Sequence, residues 1–263
     1  MLQKYQQLMP VVGISQPGGT YHLIELACPA EIPLRDVDPG QFVEISVPGR
    51  KFMLRRPISI CDIDEQKNHL LLLVDAVGEG TRLITQVKSG DSLDILFPLG
   101  KGFSLPSSSK ASPLLVGGGV GIAPMLYLAR SIYRHSGEKP KVLLGAKNAA
   151  YLKGIADRFS EFSQLYLCTD DGTLGKKGFV TDHEIWQQKH SYVYVCGPKP
   201  MMKSVAHKVA GGDACVEFSL ENMMACGLGA CLCCVEQTVT GNRCVCTEGP
   251  VFKLEELTWL KQQ

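Results

Sequence analysis

Apolar residues in the first part of the chain, residues 11–103, occur in short runs that alternate with polar residues or form brief continuous blocks. Such runs lie at residues 21–26, 42–47 and 70–74, and Pro-Gly, Pro-Gly-Arg and Ser-Gly-Asp sequences occur at the turns of this region. Short apolar runs bounded by turn residues are typical of β-strands. The pattern therefore predicts a small antiparallel barrel or sandwich.

The pattern changes after a Ser-, Pro- and Lys-containing stretch at residues 104–112, which has almost nothing to bury and which we interpret as a linker. Beyond it, apolar strands alternate with glycine turns and helices. Strands are predicted at residues 114–116, 141–145, 165–168 and 192–196, and helices near residues 124–135 and 200–209. This alternation predicts a parallel sheet.

Three units follow from these patterns. We predict a small β-barrel at residues 1–103, an α/β domain at residues 104–215, and a small cysteine-dense unit at residues 216–263 that is loop-like. The length of 263 residues, with 45% hydrophobic and 20% charged residues, leaves room for two compact domains and a small third unit.

Charge and hydropathy exclude several classes of protein. Lys and Arg number 27 against 26 Asp and Glu, a formal net charge of +1, so no large field exists to hold polyanions and we expect no nucleic-acid partner. Residues 1–10 lack the features of a signal peptide. The most apolar stretch, residues 113–129, is broken by glycines and a proline, which suits a buried strand, turn and helix better than a membrane span. We expect a cytoplasmic protein with no membrane partner.

The distribution of the cysteines points to a local metal site. Six of the 11 cysteines lie within residues 226–246, and the odd total with no export signal disfavours a disulfide framework. Cys226, Cys231 and Cys234 form the pattern C-x4-C-x2-C, and Cys246 follows after eleven residues. This matches the spacing of plant-type [2Fe-2S] ligands. The two glycines between Cys226 and Cys231 let the loop bend and aim N–H groups at sulfur.

A structural zinc site is the alternative for this segment. Cys231-x2-Cys234 together with Cys244-x-Cys246 could close a tetrahedron of four thiolates. The fuller C-x4-C-x2-C motif favours the iron–sulfur cluster. On that interpretation Cys233 and Cys244 are not ligands.

Two glycine motifs indicate a nucleotide site. Residues 114–124 place glycines, among them Gly119 and Gly121, at a strand-to-helix turn where main-chain amides can face a pyrophosphate, although tight turns also use glycine simply for packing. The next strand ends at Ala146 and Lys147 without the ribose-binding acid of the ordinary fingerprint, so the choice between NAD and NADP stays open. A second motif, Cys-Gly-Pro at residues 196–198, ends the last predicted strand.

A third motif, Leu-Arg-Arg-Pro-Ile-Ser-Ile at residues 54–60, precedes these two glycine motifs. The order of the three motifs along the chain resembles the ferredoxin-reductase-like pattern. Further likeness lies in Val-Gly-Glu-Gly-Thr at residues 77–81, Thr-Asp-Asp-Gly at residues 169–172, and Glu-Gly-Pro-Val-Phe at residues 248–252. Across almost the whole chain, the sequence resembles the family of electron-transfer subunits of dihydroorotate dehydrogenase B.

The resemblance implies that the barrel is the FAD-binding domain and that the α/β domain binds the pyridine nucleotide. It also implies which residues hold these two groups. Arg56 would place its guanidinium on the FAD pyrophosphate, Ser59 would lie near the isoalloxazine, and Cys196 would lie by the nicotinamide ring. The full implied set for FAD and nucleotide is Arg56, Pro57, Ile58, Ser59, Leu73, Val74, Asp75, Gly80, Thr81, Gly119, Gly121 and Cys196. From the residues alone, a surface ion pair for Arg56, core packing for Leu73 and a buried strand-end cysteine for Cys196 remain alternatives.

The resemblance also implies a reaction and a partner. Electrons would pass from the FMN of a dihydroorotate-oxidising catalytic subunit through [2Fe-2S] and FAD to NAD+, in pyrimidine (UMP) biosynthesis, within a heterotetramer of two copies of each subunit. No residue of this chain would be catalytic toward dihydroorotate. The rivals are a subunit of a ferredoxin:NADP oxidoreductase or sulfhydrogenase, and a non-enzymatic, zinc-stabilised binding module.

Overall fold

The computed structural model describes residues 3–49, 52–108 and 110–260. Four parts of the sequence-based predictions lie partly outside the described residues. Residues 1, 2 and 51 belong to the predicted barrel unit, Arg50 to the predicted Pro-Gly-Arg turn, Ser109 to the predicted linker, and residues 261–263 to the predicted C-terminal unit.

The first unit is a closed antiparallel barrel, in agreement with the predicted fold. Its strands pair in the order β1-β2-β5-β4-β3-β6, and a short helix, α1, lies between β5 and β6. The bounds are β1 Tyr5–Gly18, β2 Tyr21–Ala27, β3 Phe42–Ile45, β4 Arg56–Asp64, β5 His69–Asp75, α1 Glu79–Ile84 and β6 Ser92–Leu99.

Strands β2 and β5 carry apolar residues on both faces because both faces are covered. Ile24 on β2 and Leu72 on β5 point into the barrel interior. Leu23 and Leu73 belong instead to an apolar cluster with helix α2 of the next unit. Since successive side chains of a strand alternate between faces, burial on both sides explains why residues 70–74 of β5 form a continuous apolar run.

The second unit is a seven-stranded sheet of order β10-β9-β8-β7-β11-β12-β15, parallel except for β15. This confirms the predicted parallel-sheet domain. Its elements are β7 Pro113–Gly118, α2 Ile122–Ser136, β8 Lys141–Ala146, α3 Lys153–Ser160, β9 Gln164–Thr169, β10 Lys176–Lys177, β11 Tyr192–Cys196, α4 Lys199–Val209 and β12 Cys215–Ser219. Short 3-10 turns lie at Gly119–Gly121, Ala149–Tyr151, Val180–Asp182 and Glu184–Gln187, as another does at Leu34–Asp36 in the barrel.

The most apolar stretch of the chain, residues 113–129, forms β7, a glycine turn and the first half of α2, as predicted. Strand β7 is buried along its whole length because it lies inside the sheet between β8 and β11. No helix in the part of the chain that the structure describes is long and apolar enough to cross a membrane.

The C-terminal segment is more regular than the sequence suggested. It contains the hairpin β13 Val235–Thr238 and β14 Gly241–Cys244, helix α5 Val245–Glu248, strand β15 Val251–Lys253 and a 3-10 turn at Leu254–Glu256. The expectation of a loop-like chain beyond Cys215 is therefore wrong. Strand β12 pairs with β11 and carries the sheet past the expected boundary between residues 215 and 216, so we propose a boundary after Ser219 and keep the division near residue 103 as a proposal.

Candidate functional site

A cleft lies between the barrel and the α/β sheet, with a volume of about 290 Å³. Pro57, Ile58, Ser59 and Leu73, four of the residues that the resemblance assigns to FAD, line its barrel side. The opposite side is formed by the start of α2 and by residues 219–224. A concave site lined by apolar side chains and a few polar groups at a domain boundary is a usual place for a large cofactor.

The two adjacent arginines before this cleft have different surroundings. Arg55 pairs with the Asp94 carboxylate at 2.7 Å and donates to its main-chain oxygen at 3.0 Å, which ties it to the barrel. The Arg56 guanidinium lies 5.0 Å from the centroid of the Phe52 ring. It packs so tightly on α1 that a Cβ on Gly80 would lie 2.7 Å from its Nε. Arg56 and the start of α1 are thus brought together.

The start of α1 is partly self-capped. The Gly78 N–H donates to Thr81 Oγ1 at 3.1 Å, and the same hydroxyl donates to the Gly78 carbonyl at 3.1 Å. Gly80 and Thr81, predicted to face a pyrophosphate, therefore lie beside Arg56, with the Thr81 hydroxyl already engaged.

Strand β5 divides its predicted site residues between two faces. The Leu73 side chain lines the cleft, whereas the Val74 side chain lies in the barrel interior. The Asp75 carboxylate accepts a hydrogen bond from the Thr20 hydroxyl at 2.5 Å. Val74 could therefore meet a cofactor only through its main chain.

The parallel sheet changes direction between β7 and β11. The chain leaves β7 toward β8 on one side, while β11 and β12 lie on the other side. Open α/β sheets bind ligands at the carboxyl ends of strands at such a point. Gly119 has a φ of 56°, and a Cβ on Gly121 would lie 2.5 Å from the carbonyl carbon of Cys196. Gly119, Gly121 and Cys196 therefore meet where a nucleotide is expected.

A second cleft of about 470 Å³ opens at this edge of the sheet, lined among others by Gly119, Lys147, Asp170 and Pro198. Asp170 directly follows β9, and its N–H donates to the carbonyl of Ala146 at 3.1 Å. This second cleft, which we call the nucleotide cleft because the predicted nucleotide turn lines it, thus contains the acidic side chain of Asp170. Inspection of the sequence at the end of β8 alone did not find this residue.

The four cysteines predicted as ligands converge near the end of the chain. The thiols of Cys226 and Cys231 hydrogen-bond to each other, and so do those of Cys234 and Cys246. Each iron of a [2Fe-2S] cluster takes two protein ligands. Four thiols arranged as two pairs therefore fit this cluster.

Main-chain N–H groups point at the sulfurs, a frequent feature around metal–thiolate groups. Leu228 donates to Cys226 Sγ at 3.3 Å, Gly229 to Cys246 Sγ at 3.2 Å, and Cys246 to Cys234 Sγ at 3.4 Å. Burial raises the pKa of Cys226, but the N–H groups around it, led by that of Leu228, outweigh burial and lower this pKa to about 6. Burial first, and the neighbouring Cys234 next, raise the pKa of Cys246 to about 12.

A single-metal site was the alternative here. Within residues 3–49, 52–108 and 110–260, no group of three or more His, Cys, Asp and Glu side chains is arranged to hold a metal ion. Cys244, which a zinc site would need, lies in β14 opposite Val235, and Cys233 is exposed. That neither Cys233 nor Cys244 is a ligand stays a prediction.

A buried carboxyl lies beneath the cysteine loop. Glu44 on β3 is fully buried, and neither of its side-chain oxygens has a hydrogen-bond partner among the described residues. A Cβ on Gly227 would lie 2.9 Å from Glu44 Cγ, so the loop packs directly on it. Burial raises the pKa of Glu44 to about 7, with the Arg55 guanidinium acting in the opposite direction.

We expect the stability of the protein to depend on pH through Glu44. Its pKa is about 7 in the fold against an ordinary value of 4.5, so its contribution to stability is fully present below pH 4.5 and is lost as the pH rises through 7. The loss amounts to about 3 kcal/mol once both states are ionised. Glu44→Gln should therefore stabilise the fold much more at pH 8 than at pH 5, as measured by urea unfolding. Equal differences at the two pH values would contradict this assignment.

Glu221 is a candidate functional residue that sequence reasoning missed. It lines the cleft between the barrel and the α/β sheet, which we call the flavin cleft because the sequence resemblance assigns FAD to its barrel side, and its Oε1 lies 3.9 Å from Cys196 Sγ. The side chain is exposed to the open cleft, yet protein atoms surround its carboxyl group, and this desolvation raises the Glu221 pKa while Cys196 opposes the shift. Burial first, and Glu221 next, raise the pKa of Cys196 well above its usual value. This contact joins the flavin cleft to the nucleotide turn.

Comparison with known proteins identifies the family. Residues 221–258 match the iron-sulfur cluster binding domain of dihydroorotate dehydrogenase B, and residues 115–207 match the oxidoreductase NAD-binding domain. The dihydroorotate dehydrogenase B (NAD(+)) electron transfer subunit of Geobacillus thermodenitrificans is 39% identical over 242 residues, which cover 89% of this chain and 91% of that protein. The chain belongs to this family.

A second relative with the same name and two solved structures are also similar to this chain. The subunit of Fusobacterium nucleatum is 40% identical over 225 residues, or 81% of this chain and 84% of that protein. A chain of an NADH-dependent reduced ferredoxin-NADP oxidoreductase superposes with a TM-score of 0.85 at 27% identity, covering 97% of this chain and 91% of that one. Phthalate dioxygenase reductase shares the fold, with a TM-score of 0.63 at 18% identity over 89% of this chain and 87% of that one.

Membership of the dihydroorotate dehydrogenase B family confirms the oxidoreductase class expected from the sequence. The expected cofactors, FAD, a [2Fe-2S] cluster and NAD, agree with the matched domains and the ferredoxin-reductase-like fold. The match of residues 221–258 to a cluster-binding domain favours the iron–sulfur site over the zinc alternative.

Proposed function

We propose that this chain is the electron-transfer subunit of a dihydroorotate dehydrogenase B, which carries electrons from a catalytic partner through a [2Fe-2S] cluster and FAD to NAD+ in pyrimidine biosynthesis. The curated relatives carry the name of the NAD(+)-dependent electron transfer subunit of this enzyme. The observation that carries the proposal is the continuity of three sites. The Cys196 to Glu221 contact of 3.9 Å joins nucleotide turn and flavin cleft, and residues 219–224 of that cleft lead directly to Cys226.

The barrel residues would bind FAD. The Arg56 guanidinium would donate to the pyrophosphate, because its planar fork pairs with phosphate oxygens. Ile58 and Ser59 on β4 would support the isoalloxazine, and Leu73 would pack against it. The main chain of Val74, Asp75, Gly80 and Thr81 and the ring of Pro57 would complete the site.

The residues at the switch point would orient the nicotinamide. Gly119, with open space beside it, would leave room for the pyrophosphate of NAD+, and Gly121 would let the turn pack against the main chain of Cys196. Cys196 would lie beside the ring. Burial first, and the neighbouring Glu221 next, hold the pKa of Cys196 well above its usual value, so the nicotinamide ring would meet a neutral thiol.

The cysteine loop would hold the cluster. Cys226, Cys231, Cys234 and Cys246 are the proposed ligands, and the N–H groups of Leu228 and Gly229 would stabilise the thiolates. When bound, FAD converts electron pairs of a nicotinamide into single electrons that an iron–sulfur cluster accepts.

The name of the relatives, electron transfer subunit, implies a catalytic partner. We propose that this partner contains FMN, oxidises dihydroorotate, and forms a heterotetramer of two copies of each subunit. The exposed side chains of Met223, Leu228 and Leu232 flank the cysteine loop and supply apolar surface for that contact.

Co-purification of the chain with its partner, followed by assays of NAD+ reduction, tests the proposal. We expect dihydroorotate to drive NAD+ reduction and the partner alone to be unable to do so. A complex that reduces ferredoxin or sulfur substrates but never responds to dihydroorotate would establish the ferredoxin:NADP oxidoreductase or sulfhydrogenase alternative instead. A colourless protein without NADH oxidation would establish the binding module.

A further inference from the structure

A polar network connects the nucleotide turn, the flavin cleft and the cluster hairpin. Glu236 on β13 is only 8% exposed. It accepts hydrogen bonds from Lys199 Nζ at 3.2 and 3.3 Å and from Asn222 Nδ2 at 3.1 Å. Lys199 begins α4 directly after the Cys-Gly-Pro turn, and Asn222 lines the flavin cleft. One carboxylate thus joins elements of all three proposed sites.

The same network reaches a proposed cluster ligand. Asn222 Nδ2 also lies 3.5 Å from the main-chain oxygen of Cys234, and Glu236 follows Cys234 by two residues on the same segment. Groups that hold the main chain of a ligand fix the direction of its sulfur, and their loss typically impairs a metal site by 10- to 100-fold. Asn222 and Glu236 are therefore placed to fix Cys234 relative to the cleft.

Lys199 could instead bind a nucleotide phosphate, since it follows a glycine turn at the start of a helix. The lining of the nucleotide cleft argues against this role, because it includes Pro198 and Pro200 on either side but not Lys199. The Lys199 ammonium instead forms an ion pair with the Glu236 carboxylate. A carboxylate as buried as Glu236 needs such a partner, because an unpaired buried charge is costly.

We propose that Lys199, Glu236 and Asn222 are positioning residues that hold the Cys234 side of the cluster in place relative to the flavin cleft, and so set the rate at which single electrons pass between the two sites. NADH supplies the electrons in pairs and the partner's acceptor receives them, so the network changes no bond and takes up no electron itself. This inference rests on the proposed function.

The test uses the purified complex with its partner, mixed anaerobically with NADH and followed by stopped-flow absorption and electron paramagnetic resonance. The variants are Glu236→Gln, which keeps the shape of the side chain, and Lys199→Met. Lys208→Met, an exposed position on the same helix, is the matched control. Iron content and the resonance spectrum of the reduced cluster are measured beside the rates.

We expect Glu236→Gln and Lys199→Met to keep their iron and to be reduced by NADH at the flavin within about twofold of the unmodified protein. Reduction of the cluster from the flavin should slow by about tenfold, with a shifted resonance spectrum, and Lys208→Met should change neither. Unchanged cluster reduction and spectrum in Glu236→Gln, or loss of iron from that variant, would overturn the positioning role. Failure of NADH to reduce the cluster in the unmodified complex would instead remove the proposed function.

Discussion

Replacing Cys231 by serine should abolish dihydroorotate-coupled NAD+ reduction while sparing the oxidation of NADH by artificial acceptors. Cys231 pairs with Cys226 in the cysteine loop, and the pair is proposed to hold one iron. Loss of a group that merely supports a metal ligand lowers metal affinity or activity by about 10- to 100-fold. Loss of a ligand itself should therefore lower the coupled rate by more than about 100-fold. The flavin and nucleotide clefts contain none of the loop cysteines, so direct NADH oxidation should persist.

Cys233→Ser is the matched control for this variant, because it removes a thiol two positions away in the same loop. We expect it to keep its iron and its coupled activity. If Cys231→Ser remained folded yet lost both the coupled and the direct activity, the division of labour between the loop and the clefts would be wrong. If Cys233→Ser lost its iron instead, the ligand assignment would have to change.

Arg56→Ala should weaken FAD binding by more than about 100-fold, because a guanidinium fork makes two charge-assisted hydrogen bonds to phosphate, each contributing about 1.5–3 kcal/mol. Its position against Gly80 and over the Phe52 ring holds the guanidinium beside the start of α1. Equilibrium dialysis or flavin fluorescence of the refilled protein measures the change. The FAD affinity of Arg56→Lys should lie between those of the unmodified protein and Arg56→Ala, because lysine keeps the positive charge but lacks the planar guanidinium fork.

Arg134→Ala is the control for a lost surface cation. Arg134 pairs with Glu65 at 2.6 Å, and its side chain is 55% exposed, so its removal should leave FAD affinity unchanged. Equal losses in Arg56→Ala and Arg134→Ala would mean that net charge, rather than a specific contact, governs FAD retention.

Much of the fold was predictable because its strands and turns follow simple periodic patterns. The barrel strands at residues 21–26 and 70–74 appear as β2 and β5, and the glycine turn after β7 leads into α2. The structure places Cys226 beside Cys231 and Cys234 beside Cys246. That these four thiols are the cluster ligands stays a prediction from their spacing.

The missed strand β12 shows where pattern reasoning failed. Val216, Phe218 and Leu220 alternate with polar residues and are buried, a period-two signal that the nearby cysteines obscured. Recognition of this strand would have placed Glu221 and Asn222 at the carboxyl edge of the parallel sheet, where ligands bind.

Other features of the site depend on contacts between distant segments and leave no local signal. No local pattern separates Arg55, which pairs with Asp94, from Arg56, which packs on α1. Only the family resemblance distinguished the two arginines. In the sequence, Glu44 looks like a polar residue on the solvent face of a strand. Only the structure shows that the cysteine loop covers it. The pairing of Lys199 with Glu236 likewise joins residues 37 positions apart.

Quantification of the prosthetic groups in the isolated chain, reconstituted anaerobically with flavin, iron and sulfide, bears most directly on the electron relay. One FAD and one [2Fe-2S] cluster per chain are predicted, both reduced on addition of NADH and seen as bleaching of the visible spectrum. A folded chain that stayed colourless, or that took up flavin but no cluster, would contradict the proposed electron relay.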